Sequence, residues 1–504
     1  MKARRLLTLA LFLYLAPSVA VAGIKTWTGQ SGGRWSTASN WSPAGAPADK
    51  DALSFPLLPA GRIKAMTNDL AGRTFQDLTF TVNGYTLRGE ALALTGGINA
   101  RQPNLGNTIE TPVTLSGHQT FEVSSASGTL LLSGDINLNR ANLAIDGRGA
   151  VNVSGVIRNR GSVVLTGDNT VVFFGGHSNQ LEGTVWVQSG TLTLNKVSGG
   201  VGQIAVPGDL IVGSSGAASV RLVENGQIAA GSAVTIYQDC VLDLDGQTNT
   251  VGSLRFVGGG TVQTGSGRLV LGGDVVVEGL GETAMIAGNL HLGNSDRTFT
   301  VGDVVSGVDL DVTATVSAGT SGAPLYVGRG FTKAGLGTMR LAGPNTYGGV
   351  TDVDEGALAI GHSQALGAGG GLLVGTRIDA NGQLRLDGVQ VPDEPLTLNR
   401  SASSGHVLAS SGDSVWGGTL TLNTDSRLSS SGTLVLSNRV SGAGGLLLDG
   451  ESFEFAGAEA NTYTGTTWVD CARLRLNHSV LHNNAIPGDL VVGANSPDAS
   501  NIVQ

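Results

Sequence analysis

Short runs in which apolar and polar residues alternate recur along this chain, with glycine or Asx residues between them. Ala91-Leu92-Ala93-Leu94-Thr95, Asn142-Leu143-Ala144-Ile145-Asp146 and Thr433-Leu434-Val435-Leu436-Ser437 are examples. A period of two sends one set of side chains inward and the other outward, as in a strand. Few segments carry the 3.6-residue spacing of a helix. Several runs end on Asp-Gly, at Asp245-Gly246, Asp387-Gly388 and Asp449-Gly450. Asp bonds its own turn backbone there, and glycine accepts positive φ.

The runs are grouped into copies of a longer passage. Gly183-Thr184-Val185-Trp186-Val187, then Gly190-Thr191-Leu192-Thr193-Leu194-Asn195, then Pro207-Gly208-Asp209-Leu210-Ile211-Val212-Gly213 form the first. The last runs Gly465-Thr466-Thr467-Trp468-Val469, Leu474-Arg475-Leu476-Asn477 and Pro487-Gly488-Asp489-Leu490-Val491-Val492-Gly493. A looser copy starts at Asn345-Thr346-Tyr347 and closes at Leu372-Leu373-Val374-Gly375. Repeated units of short strands and glycine turns stack on one another. No Pro- or Ser-rich linker divides the chain, which disfavours a string of sandwiches. The pattern therefore predicts an all-β protein, a right-handed parallel β-helix of roughly twenty coils at about 4.8 Å each. Leu192, Leu194, Leu358, Ile360, Leu434, Leu436, Leu474 and Leu476 are expected inside, with Thr191, Thr193 and Asn195 not all buried.

Composition agrees: glycine contributes 78 residues, while charged residues make 14% and aromatics 5%. A net charge of −9 without a basic stripe argues against a nucleic-acid partner. The two cysteines, Cys240 and Cys471, read as isolated substitutions and not as a disulfide. Lys2, Arg4 and Arg5, the apolar stretch Leu6 to Leu15 and Ala20-Val21-Ala22 predict a signal peptide over 1–22, cleaved between Ala22 and Gly23. That apolar stretch is too short to span a bilayer, and no later one is longer, so the mature chain is expected to lack a transmembrane segment.

Residues 23–98 have a different texture and read as an N-terminal capping region, with solenoid repeats over 99–504. Trp27, Trp35 and Trp41 crowd together there. They fit a hydrophobic cap over the first open sheet edge, with a sugar-stacking platform as the other reading. The sequence stops at Asn501-Ile502-Val503-Gln504, which reads as inside a repeat. The strand Leu490-Val491-Val492 then lies near an open edge that the tail from Ser496 is too short to cover, so the chain is expected either to fray after about Leu476 or to self-associate through its C-terminal end.

The block Leu341-Ala342-Gly343-Pro344-Asn345-Thr346-Tyr347-Gly348-Gly349-Val350-Thr351, ending at Gly356-Ala357-Leu358, resembles the autotransporter-associated β-strand repeat of secreted bacterial surface proteins. Asn461-Thr462-Tyr463-Thr464-Gly465-Thr466-Thr467 is a second match, and Asn179 to Leu192 a third. The resemblance implies a passenger-type solenoid at the bacterial cell surface or outside the cell, with a structural or adhesive role. Extracellular polysaccharide or other surface proteins are the partners it implies. Such proteins often end in a translocator barrel, and this sequence reads as stopping before one.

No catalytic, cofactor-binding or metal site is expected, and no cofactor. Arg62-Ile63-Lys64 matches one element of a polygalacturonase signature whose other elements are missing. His478 and His482 have metal-ligand spacing but fall where a strand runs into a loop. Asp239, Asp243 and Asp245 read as turn carboxylates in preference to a calcium site. Trp186 and Trp468 occupy equal repeat positions where the middle copy has Asp352. The rival readings are a carbohydrate-active β-helix enzyme (a polysaccharide lyase or hydrolase) and a non-catalytic glycan-binding protein.

Overall fold

The computed structural model describes residues 22–503 apart from 215, 320–327, 368–374, 402, 404, 481–483 and 494–501. The signal segment up to residue 21, His482, the closing Leu372-Leu373-Val374 and most of the tail lie outside the described residues. The chain winds as a parallel β-solenoid of about twenty coils. Each coil contributes strands to up to three faces, and nearly every pairing joins a strand to its counterpart one coil on. On the first face Val163–Leu165, Val185–Val187, Leu210–Val212, Ala233–Tyr237 and Ser253–Val257 stack in register. The second face carries Thr170–Gly175, Gly190–Ser198, Ala218–Leu222 and Val241–Asp243 in the same way. On the third face Thr248–Val251, Arg268–Leu271, Asn289–His291 and Thr315–Ser317 form a separate four-stranded sheet.

Alternation decides which side chains fill the interior. Leu192, Leu194, Leu358, Ile360, Leu434, Leu436 and Leu474 are all buried, while Thr191, Thr193 and Asn195 are half-buried on the outside. Leu476 departs from the expectation and is 36% exposed. It pairs with Phe455 on one side, whereas the following strand reaches only Arg473 and Leu474.

The tryptophans close the first described coils. Ile24–Trp27 pairs antiparallel with Trp41–Ser42 and parallel with Ala52–Phe55, so the parallel ladder already runs through the capping region. Trp27 and Trp35 pack edge-on against Trp41 at 5.0 and 5.6 Å, and Trp35 meets Phe75 at 5.4 Å. The indole N–H of Trp27 donates to the Ile63 carbonyl, and that of Trp41 to the Trp35 carbonyl. All three rings are buried, so none offers a face to a sugar. Both cysteines are unpaired, Cys240 buried and Cys471 exposed. Cys471 sits at φ 53°, close to the 77° of Gly190, the turn glycine of the first copy. No helix among the described residues is long and apolar enough to cross a membrane.

Candidate interaction surfaces

The repeat motif is a device for joining coils. Asn345 is buried at a corner, where its side-chain oxygen accepts from the Val316 N–H one coil back. Its amide N–H donates to the Ala365 carbonyl one coil on. Asn461 joins Val440 and Ala485 in the same way, and Asn179 joins Ile157 and Ala205. One side chain thus satisfies two backbone groups that the turn would otherwise leave buried and unpaired. Two residues on, the Tyr347 hydroxyl lies 2.7 Å from the Thr351 hydroxyl, and Tyr463 repeats this with Thr467 at 2.6 Å. In the first copy the equivalent pair is Leu181 and Val185, both apolar and both buried.

The residues flagged in the sequence do not converge. Ile63 accepts from Trp27, and the Lys64 ammonium donates to Asn83 and lies over the Tyr85 ring, so this triplet serves the capping region. Asp243 accepts from the Asp245 N–H, and Asp245 pairs with Arg221 at 2.6 Å. Asp239 holds a turn at φ 60°. His478 is half-buried, and burial lowers its pKa. Among the described residues, no group of three His, Cys, Asp or Glu side chains is placed to hold a metal ion.

Trp186 and Trp468 do not share a stripe. The strand of Trp186 belongs to the first-face ladder that leads on to Asp352. The strand of Trp468 stacks on Leu446–Gly457 and Ser426–Leu436, in the second-face ladder that passes through Leu358. The last copy has advanced by one face relative to the other two. No sequence comparison of the copies could show this, because it depends on the coil lengths between 360 and 467.

Two charged features were not visible in the sequence. A cleft of about 260 Å³ on the first face is lined by Asp296, Arg329, Asp352 and Arg377. Burial raises the Asp352 carboxyl, against the pull of Arg377, and burial with neighbouring Asp379 raises Asp354. The acids have local partners: Asp296 accepts from the Gly330 N–H, Asp352 lies 3.9 Å from Arg377, and Asp379 accepts from Asn399. Inside the solenoid, the Lys333 ammonium donates to the carbonyls of Ala334, Gly335 and Glu355. Burial brings its pKa down to about 8. Burial likewise pushes the Glu394 carboxyl up to about 7, although Thr376 donates to it. A lysine in an otherwise alternating run, or a glutamate in the loop Pro392-Asp393-Glu394-Pro395, gives no sign of which way it points.

A parallel solenoid whose corners are stitched by a recurrent Asn-Thr-Tyr segment is the build of a passenger-type repeat protein. Residues 331–360 match the passenger-associated-transport-repeat family model, and this span contains Lys333, Asn345, Tyr347 and Thr351. The chain is also similar to the adhesin BmaC autotransporter of Brucella suis biovar 1 (strain 1330), at 25% identity over 453 residues. That alignment takes in 81% of this chain and 12% of the relative, so the chain spans about an eighth of the relative's length. No solved structure matches it significantly.

Proposed function

We propose that the chain is exported through its N-terminal signal and acts at the cell surface as a non-catalytic β-solenoid with an adhesive role. The observation that carries this reading is the match along 81% of the chain to a protein described as an adhesin. The architecture supports it, because a stacked solenoid presents a long regular flank and its interior is filled with apolar side chains. The cleft at Asp352 supports a second reading, a glycan-cleaving enzyme, since raised carboxyls beside arginines are the material of general acid catalysis. The partners of Asp296, Asp352 and Asp379 weigh against it.

One experiment addresses both. The chain, fused to a surface anchor, is displayed on a non-adherent bacterial carrier under flow over polysaccharide-coated, matrix-protein-coated and bare surfaces. Display should increase retention on at least one surface, and the displayed chain should begin at Gly23. Retention equal to that of the bare carrier on every surface would overturn the adhesive role. Release of new reducing ends from the polysaccharide coat would move the reading to the enzyme.

A further inference from the structure

We infer that a polar trough at the corner between the second and third faces, centred on Gln263, Ser266 and Arg268, binds a hydroxyl-rich glycan chain. The inference deepens the adhesive reading and rests on it. Two concavities, about 550 and about 370 Å³, meet at Ser266. Both are open, shallow depressions of the flank and not enclosed clefts.

The trough exists because the corner cannot carry side chains. Gly246, Gly265 and Gly288 follow one another on successive coils, with φ of 82°, 58° and 95°. A Cβ on Gly288 would lie 2.2 Å from the Thr264 hydroxyl. The floor is therefore bare backbone. Asp243 and Gln263 stand on one wall, with Arg268 and Asn289 on the other. Strand pairing carries the second wall from Thr248 through Arg268 and from Asn289 to Thr315, over four coils or roughly 15 Å.

The walls mix carboxylate, amide, hydroxyl and guanidinium groups, and no aromatic or large apolar side chain lines them. Gln263, Ser266 and Arg268 are exposed, and among the described residues their side chains make no hydrogen bond or ion pair within the chain. Arg268 shares this with Arg62, Arg101, Arg140 and Arg148, whereas several other outward arginines are paired. Arg88, Arg158, Arg160, Arg221 and Arg255 each reach a carboxylate roughly one coil away. Arg221 takes Asp245 at the trough's own rim, which leaves the Arg268 fork open.

These features choose among occupants. A folded protein partner would need an apolar centre to its interface. An extended peptide that adds a strand needs an open sheet edge, and the backbone here is already paired between coils. A nucleic acid would meet one arginine facing carboxylates. A glycan presents donors and acceptors at every ring, which is what an open row of mixed polar groups can satisfy.

The test is affinity electrophoresis of the full chain through native gels containing dextran, xylan or polygalacturonate. At least one polysaccharide should retard the wild-type chain. The Gln263→Ala/Arg268→Ala double variant should bind it about tenfold more weakly, with an unchanged circular dichroism spectrum. Arg88→Ala, remote from the trough, should bind as the wild type does. No retardation by any of the three, or equal retardation of the double variant, would overturn the trough. Carriers that adhere equally with wild-type and double-variant chains would sink the trough and leave adhesion standing. A chain retarded in the gel that holds no carrier to any surface would do the reverse.

Discussion

At the scale of single residues, the motif is a set of matched partners. Tyr347 and Thr351 are both buried and bond each other, while the first copy fills the same two places with Leu181 and Val185. Either pair is self-consistent, and a mixed one is not. Tyr347→Phe leaves the buried Thr351 hydroxyl without its partner and should cost about 1 kcal/mol of local stability. Adding Thr351→Val should recover most of that loss, because removing both partners of a buried hydrogen bond is nearly neutral. Hydrogen exchange of peptides covering 345–353 measures both steps, and a double variant that exchanges faster than the single one would contradict the account. The sequence showed Asn-Thr-Tyr as a recurring string. It could not show what each residue holds, because the partners Val316 and Ala365 lie a full coil away on either side of Asn345.

At the scale of strands and turns, spacing between coils sets the sequence. Gly183, Gly349 and Gly465 occupy one position in the three copies. A Cβ there would lie 2.1, 2.2 and 2.3 Å from backbone atoms of the preceding coil. None of the three needs a left-handed backbone, so close approach alone requires glycine. Gly349→Ala must push two coils apart and is expected to cost at least about 2 kcal/mol. Gly231→Ala meets nothing within 4 Å and should be neutral or slightly stabilising. Limited proteolysis with thermal melting separates the two, and equal tolerance of both would refute the close-packing explanation. The strands themselves were legible because alternation sorts Leu192 and Leu194 from Thr191 and Thr193 in one local run. The inward Lys333, between Phe299 and Val353 on the ladder, was not. Its placement depends on three carbonyls at a turn, and no local pattern encodes those.

At the scale of the whole molecule, stacking turns sequence length into distance. About twenty coils at the 4.8 Å strand spacing give a rod close to 100 Å long, so the radius of gyration should be about 30 Å. A compact globule of this chain length would give roughly 23 Å. Small-angle scattering distinguishes the two, and a value near the lower figure would exclude a continuous solenoid. The rod form bears on function, since each coil adds a row of outward side chains while the interior only repeats. A change to an inward residue such as Leu192 is a packing change with nothing to bind. A change to an outward residue such as Arg268 alters what the flank offers a ligand and leaves the stack intact. Sequence can therefore drift on the flank while the Asn corner, the close-packed glycine and the inward Leu and Val positions stay fixed by the neighbouring coil. Two such proteins can then share a fold at 25% identity and still differ in what they hold. Gln263 and Arg268 are the kind of position where that difference would reside.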